Sequence, residues 1–154
     1  MKWLALALLS LTACQKPSNS KLTVEAYVWQ SPTRPEVQLT MTRAATHAIN
    51  LHVRAAEMRW AGDHFETERT LTHLPSPGCG LVVRIGASAS QLEWTPEQIK
   101  PVATIFRELA ALGPKEIQCD FDSPQKRLSA YNRLLNALQS ATGDVPIVPT
   151  TLPS

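Results

Sequence analysis

Cysteine, histidine and long apolar runs are all scarce in this chain, and each scarcity removes a class of function. There are 3 cysteines and 4 histidines among 154 residues. No Cys-x-x-Cys pair occurs, which excludes zinc-ribbon and thioredoxin-type sites, and no His-x-x-x-His or His-Glu-x-x-His spacing offers a metal its ligands. His47 and His52 read as flanking a turn, while His64 and His73 fall in an irregular stretch. A serine hydrolase would need a Gly-x-Ser-x-Gly elbow, and there is none. Gly78-Cys79-Gly80 precedes a strand, whereas a dinucleotide-binding glycine turn follows one and opens a helix. No metal and no cofactor are called for. Charge of one sign is lacking too: 15 Lys and Arg against 13 Asp and Glu leave +2, with no basic run, so nucleic-acid binding is not indicated.

What is present begins at the N-terminus. Met1 and Lys2 form a minimal positive start, and Trp3 to Leu9 is apolar but too short to span a bilayer. Followed at once by Leu11-Thr12-Ala13-Cys14, the run suits a signal peptide. Leu-Thr-Ala-Cys resembles the lipobox of bacterial lipoproteins, in which the cysteine is lipidated and everything before it is removed. Spacing, small residues and cysteine all agree. Each buried methylene adds about 0.8 kcal/mol of membrane affinity, so the acyl chains of such a cysteine anchor the protein durably. The resemblance implies a signal peptide over residues 1–13, a lipidated Cys14 with linker over 14–21, and a domain over 22–154. Gln15 is not the aspartate that retains Gram-negative lipoproteins at the inner membrane, so the expected location is the outer membrane, facing the periplasm. That compartment permits a disulfide between Cys79 and Cys119, and the spacing leaves a bridge and two buried free thiols both open.

Beyond the linker, strand and helix patterns alternate. "TVEAYVWQ", Thr23 to Gln30, is rich in β-branched and aromatic residues and stops at Ser31-Pro32, which marks a strand and a break. Val37, Met41, Ala44, Ala45 and Ala48 recur at helical spacing and predict a helix over 35–48. Asn50 to Met58 and Gly80 to Gly86 read as the second and third strands, separated by an Ala-Gly-Asp hairpin and an irregular crossover. Thr95, Pro96 and Gln98 then announce a helix with a capping box. The fourth strand is Glu116 to Phe121, after which Ser123 is expected to cap a helix opening with Pro124, with its stripe at Leu128, Tyr131, Leu135 and Leu138. "VPIVPTTLPS" reads as a fifth strand broken by prolines.

Such alternation implies an α/β fold with a mainly parallel sheet and right-handed crossovers. An open doubly wound sheet and part of a (β/α)8 barrel both satisfy it, since a whole barrel needs at least about 200 residues. No helix pattern follows the fifth strand, which would leave an apolar edge exposed. The segments "AYVWQ", "LHVRAAEM", "VVRIGAS", "IQCDFDSPQKRLSAYNRLLNAL" and "TTLPS" together resemble the bacterial family called domain of unknown function 3142. The resemblance covers nearly all of the chain after the linker. It implies the N-terminal five strands of a (β/α)8 barrel related to glycoside hydrolases, in a truncated member of the family.

"IQCDFD" carries the chemistry. In a strand, residues i and i+2 share a face, so Gln118, Asp120 and Asp122 point one way and Ile117, Cys119 and Phe121 the other. Both faces of a parallel strand are normally buried, so a polar face at its C-terminal end marks a ligand site. Two carboxylates about 7 Å apart repel and push one pKa upward, which suits an acid and a base. The structural alternative is that Asp122 precedes a helix cap while Asp120 pairs with an arginine. Glu57 ends the second strand, Arg84 lies late in the third, and Trp29-Gln30 closes the first. Together they would make a glycan cleft with Asp120, Asp122 and Glu57 as catalytic carboxylates and Trp29, Gln30, Arg84 and Gln118 as binding residues. Thr150 and Thr151 would extend it. Chitinase-like barrels carry Asp-x-Asp-x-Glu here, with glutamate as the acid; this chain has Pro124 in that position, which cannot donate a proton. Asp-x-Asp also occurs in metal-dependent glycosyltransferases and haloacid-dehalogenase phosphatases. An exported protein lacks nucleotide sugars, and this pair is neither on a first strand nor followed by the usual Thr or Val. A non-catalytic lipoprotein that uses the same cleft to bind a glycan or a protein, or an inactive gene fragment, is the alternative to hydrolysis.

Overall fold

The spacing of apolar residues switches repeatedly between every second position and every third or fourth, and a computed structural model describes the outcome for residues 24–47, 49–86 and 92–150. The expected leader, Cys14, the linker and Thr151 lie outside the described residues. The elements are β1 (Glu25–Val28), α1 (Pro35–Thr46), β2 (Asn50–Trp60), β3 (Phe65–Arg69), β4 (Gly80–Gly86), α2 (Pro96–Ala110), β5 (Ile117–Asp120), a 3-10 turn (Gln125–Arg127), α3 (Leu128–Thr142) and β6 (Ile147–Thr150). Among the described residues, no helix is long and apolar enough to cross a membrane.

The sheet runs β1-β2-β4-β5-β6, with every neighbouring pair on that path parallel. Apart from β3, spatial order is chain order, so each crossover advances in the same direction. Right-handed crossovers that never reverse put their helices on one face, as in a barrel wall; a doubly wound sheet reverses and is covered on both. The α/β class read from the sequence is the one observed, and the strand order is compatible with part of a (β/α) barrel.

Alternation along the strands decides what each face carries. Leu51, Val53 and Met58 of β2, Leu81, Val83 and Ile85 of β4, and Ile117 and Cys119 of β5 join Met41, Phe106, Leu109, Leu134 and Leu138 of the helices in one apolar core. Burying a side chain such as Phe106 contributes roughly 1.5–3 kcal/mol, so this face holds the fold together. Val82 is buried too, yet it stands outside that core because it points to the other face.

That second face depends on an irregularity in β2. The strand's register against β4 shifts between Arg54 and Ala56, a bulge that inserts Ala55. Thr70 holds it, donating its backbone N–H to Ala55 O at 2.9 Å and its hydroxyl to Arg54 O at 2.7 Å. Before the bulge, β1 pairs with residues 50–53 of β2; beyond it, β3 returns antiparallel along residues 56–60. The hairpin turn closes with Ala61 N–H donating to His64 O at 2.9 Å, and Gly62 supplies the positive φ of 107° that it needs.

The helix starts divide into one that follows its sequence signal and one that does not. Thr95 caps α2 with the full capping box: its hydroxyl accepts from Gln98 N–H, and Gln98 Oε1 accepts from Thr95 N–H at 3.1 Å. Ser123, expected to cap the next helix, does not; Pro124 stays extended, the chain tightens only at Gln125, and α3 begins at Leu128 with no side-chain cap. Its buried residues include Tyr131, Leu134 and Leu138, while Leu128 is 49% exposed. Cys79 and Cys119 are both buried free thiols. Burial pushes the Cys119 thiol up to about 12, so it is inert as a nucleophile.

β6 is not the bare apolar edge that the sequence suggested. Its Ile147 and Val148 are half-buried, α3 packs against it, and Ile147 N–H donates to Gln139 Oε1 at 3.1 Å. Pro149, the next residue but one, has no N–H to offer.

Candidate functional site

The face away from the core is polar and layered. At its N-terminal end Tyr27, His52 and Gly80 are register partners. Glu116 flanks Gly80 on the β5 side. The middle layer is Arg54, Val82, Gln118 and Val148, and the layer at the C-terminal ends of the parallel strands is Glu57, Arg84, Asp120 and Thr150, with Glu68 of β3 beside Glu57. The bulge makes this alignment: Arg54 and Glu57, three residues apart, face the same way because Ala55 shifts the alternation.

Gly80 shapes the first layer. A Cβ there would lie 2.4 Å from His52 Cδ2, so only glycine lets the imidazole lie across β4 to reach Glu116. His52 Nε2 donates to Glu116 Oε1 at 2.8 Å, and Gln118 Nε2 donates to the same oxygen at 2.9 Å. Tyr27 stacks on the His52 ring at 4.9 Å and 17°. Desolvation pushes the Glu116 carboxyl up, but the hydrogen bonds from Gln118 and His52 and the charges of His52 and Lys115 outweigh it and hold the group below the usual carboxylate range. His52 thus lies inside a strand, 1% exposed, and not at the turn where the sequence put it.

The strand-end layer holds the residues of interest. Glu57 accepts from Arg54 Nη1 at 2.6 Å and lies 3.5 Å from Arg59 Nη2. Thr150 donates its hydroxyl to Asp120 Oδ1 at 2.8 Å. Arg84 stands between Glu57 and Asp120 in register and is exposed, and among the described residues it makes no ion pair with either. The sequence alternative in which Asp120 is the partner of an arginine is therefore not what the row contains. Asp122, two residues past Asp120, is exposed beyond the end of β5.

Of the other expected binding residues, Gln118 sits one layer down, 4% exposed and committed to Glu116. Trp29 is 43% exposed and stacks on Tyr27 at 6.2 Å and 13°, which gives the polar face an aromatic edge. Gln30 belongs elsewhere: with Ala26, Val28 and Arg34 it lines a groove of about 480 Å³ between β1 and α1, on the helix side. Tyr27, His52, Arg54 and Glu116 are the members of this face that the sequence reading missed. Their signal was the alternation 52, 54 in β2, followed by the broken step to 57.

Among the described residues no group of three or more His, Cys, Asp and Glu side chains could hold a metal ion. Chemically, the strand-end row offers a carboxylate held by two guanidiniums (Glu57), a carboxylate whose Oδ2 has no partner among the described residues (Asp120), the exposed carboxylate of Glu68, the exposed guanidinium of Arg84 and the Thr150 hydroxyl. Fold and row together define an α/β protein with a one-directional parallel sheet whose polar face opens at the C-terminal strand ends. No family model, no curated protein and no solved structure matches the chain.

Proposed function

We propose that this is an envelope lipoprotein, anchored through Cys14 and facing the periplasm, whose strand-end row binds a glycan. The observation that carries the reading is the register row Glu57, Arg84, Asp120 and Thr150; the Trp29–Tyr27 stack lies on the same face, nearer its N-terminal end. Ligands of parallel α/β sheets bind at C-terminal strand ends. A sugar presents hydroxyls that both donate and accept, matching free carboxylate oxygens and a guanidinium, and its apolar face matches an exposed aromatic pair. The sequence resemblance to a family related to glycoside hydrolases supports the same substrate class.

Binding fits the row better than hydrolysis by the expected set of three acids. Glu57 is taken up by Arg54 at 2.6 Å with Arg59 at 3.5 Å, so its oxygens face guanidiniums, whereas a general acid must reach the leaving-group oxygen. Hydrolysis is the second reading, favoured by one observation: Asp120 Oδ2 has no partner among the described residues while Asp122 stands exposed two residues on, so these two would share the acid and base roles. In titrations with oligosaccharides, Asp120→Asn and Trp29→Ala are each expected to weaken binding about tenfold, equivalent to about 1.4 kcal/mol, with the circular dichroism spectrum retained. Unchanged binding by both folded variants would reject the site. For the anchor, Cys14→Ser is expected to move the protein from the membrane fraction to the soluble periplasmic fraction, and continued membrane association would reject lipidation at that residue.

A further inference from the structure

We infer that β1 is the strand through which two copies of this chain join, pairing antiparallel about a two-fold axis at Tyr27. The inference stands on the open edge of the sheet and does not depend on glycan binding. β1 pairs with β2 on one side, and among the described residues nothing pairs with it on the other. Asn50 N–H donates to Val24 O at 3.0 Å, so in this parallel ladder the backbone groups of Val24, Ala26 and Val28 turn to β2 and those of Glu25, Tyr27 and Trp29 turn outward. Residues 24–29 contain no proline, lysine or bulge to blunt that edge. Of the exposed large apolar residues among the described ones, Val24, Tyr27, Trp29 and Leu39 belong to β1, its flanks or α1, and only Leu128 lies elsewhere.

The chemistry of this edge matches a second copy of itself. Antiparallel pairing centred on Tyr27 sets Tyr27 opposite Tyr27 of the other copy and Glu25 opposite its Trp29, and each of these pairs exchanges two main-chain bonds because its outward N–H and C=O groups are open. The strand carries one charge, Glu25, and this register keeps its two copies roughly 14 Å apart, beyond a Debye length. Across the same axis α1 of one copy runs antiparallel to α1 of the other, over the groove of about 480 Å³ that Ala26, Val28, Val37 and Ala44 line beside β1. Glu36, Thr40 and Arg43 share a stripe of α1 by their spacing, and Glu36 and Thr40 line that groove. Antiparallel helices bring Glu36 of each copy to Arg43 of the other, and among the described residues neither makes an ion pair within its own chain. The side chains of Tyr27 and Trp29 stay on the polar face, so the dimer joins the two aromatic stacks and leaves both strand-end rows open.

Sedimentation equilibrium tests this on the full chain, carrying Cys14→Ser so that acylation cannot drive association. A monomer–dimer equilibrium in the micromolar range is expected. Glu25→Pro removes an outward N–H and leaves the bonds to β2 in place; it is expected to weaken dimerisation about tenfold, whereas Glu25→Ala, which keeps that N–H, stays within about threefold of the parent. Glu36→Arg and Arg43→Glu are each expected to weaken it about tenfold, and the two combined to restore it. In hydrogen exchange, the amides of Glu25, Tyr27 and Trp29 are expected to slow as protein concentration rises, while those of Ala26 and Val28, already bonded to β2, change little. A monomer at all concentrations up to about 1 mM would overturn the inference. So would a dimer that folded Glu25→Pro leaves as strong as before, since β1 would then not be its contact. If Glu25→Pro does not fold by circular dichroism, the exposed charges decide: dimerisation indifferent to both single reversals, or not restored when they are combined, overturns the antiparallel two-fold.

Discussion

Gly80→Ala is expected to destabilise the fold by about 3 kcal/mol, although it adds a single methyl group to a backbone that tolerates it. The new Cβ would fall 2.4 Å from His52 Cδ2 and 2.8 Å from its Nε2. His52 is 1% exposed and lies under the Tyr27 ring, so it cannot swing into solvent without taking that stack apart. Displacing it breaks the bond to Glu116, worth roughly 1.5–3 kcal/mol when one partner is charged, and leaves a buried imidazole unsatisfied. Chemical denaturation of the variant checks the magnitude. The cause is checked by His52→Ala combined with Gly80→Ala: with the ring gone the extra methyl group has nothing to strike, so the double variant is expected to be little less stable than His52→Ala alone. A full additive loss would place the cost of Gly80→Ala somewhere other than the imidazole.

Glu116→Ala is expected to cost about 3 kcal/mol at neutral pH, because a single oxygen serves two donors. Oε1 accepts from both His52 Nε2 and Gln118 Nε2, and both donors belong to buried side chains. His52 Nδ1 and Gln118 Oε1 already lack hydrogen-bond partners among the described residues, so neither side chain has a second bond to fall back on. The effect carries a pH signature. The folded-state pKa of Glu116 is held below its ordinary value of 4.5, so its contribution is fully present above that pH and is lost as pH falls through the folded value. The stability gap between wild type and Glu116→Ala should therefore be widest near neutrality and narrow in acid below about pH 4.5. A gap that does not narrow between pH 7 and pH 3 would show that the carboxylate charge is not what the two donors need.

The fold was more legible in the sequence than the polar face was, and the difference has a physical origin. Helix α2 could be read because its signals are local: Thr95, Pro96 and Gln98 sit within one turn, and the bonds they form span three residues. The strand sequence was likewise readable from alternation, with Ile117 and Cys119 turning to the core and Gln118 to the other side as the period of two requires. Alternation also separates Trp29 from Gln30, which the sequence reading grouped because they are adjacent; one edges the polar face and the other lines the groove beside α1. The bulge at Ala55 was not readable, since it is fixed by Thr70 from the far end of the hairpin. Without it Arg54 and Glu57 would face opposite ways, and the ion pair that fixes Glu57 could not form. The capping expectation for Ser123 failed for a related reason: Pro124 is compatible both with a first helical turn and with extended chain, and here it takes the extended form.

The small contact between Gln139 and Ile147 has a consequence for how this molecule meets other chains. Outward-facing N–H groups are what an incoming strand recognises first, and on β6 one is already occupied by an amide side chain while the position two further on, Pro149, has none. A stray strand arriving at residues 147–149 finds carbonyl oxygens but no open donor with which to zip. Where copies of this chain meet at high local concentration, that lack of donors disfavours fusing their sheets through residues 147–149. Encounters along residues 147–149 are left to side chains and not to backbone pairing.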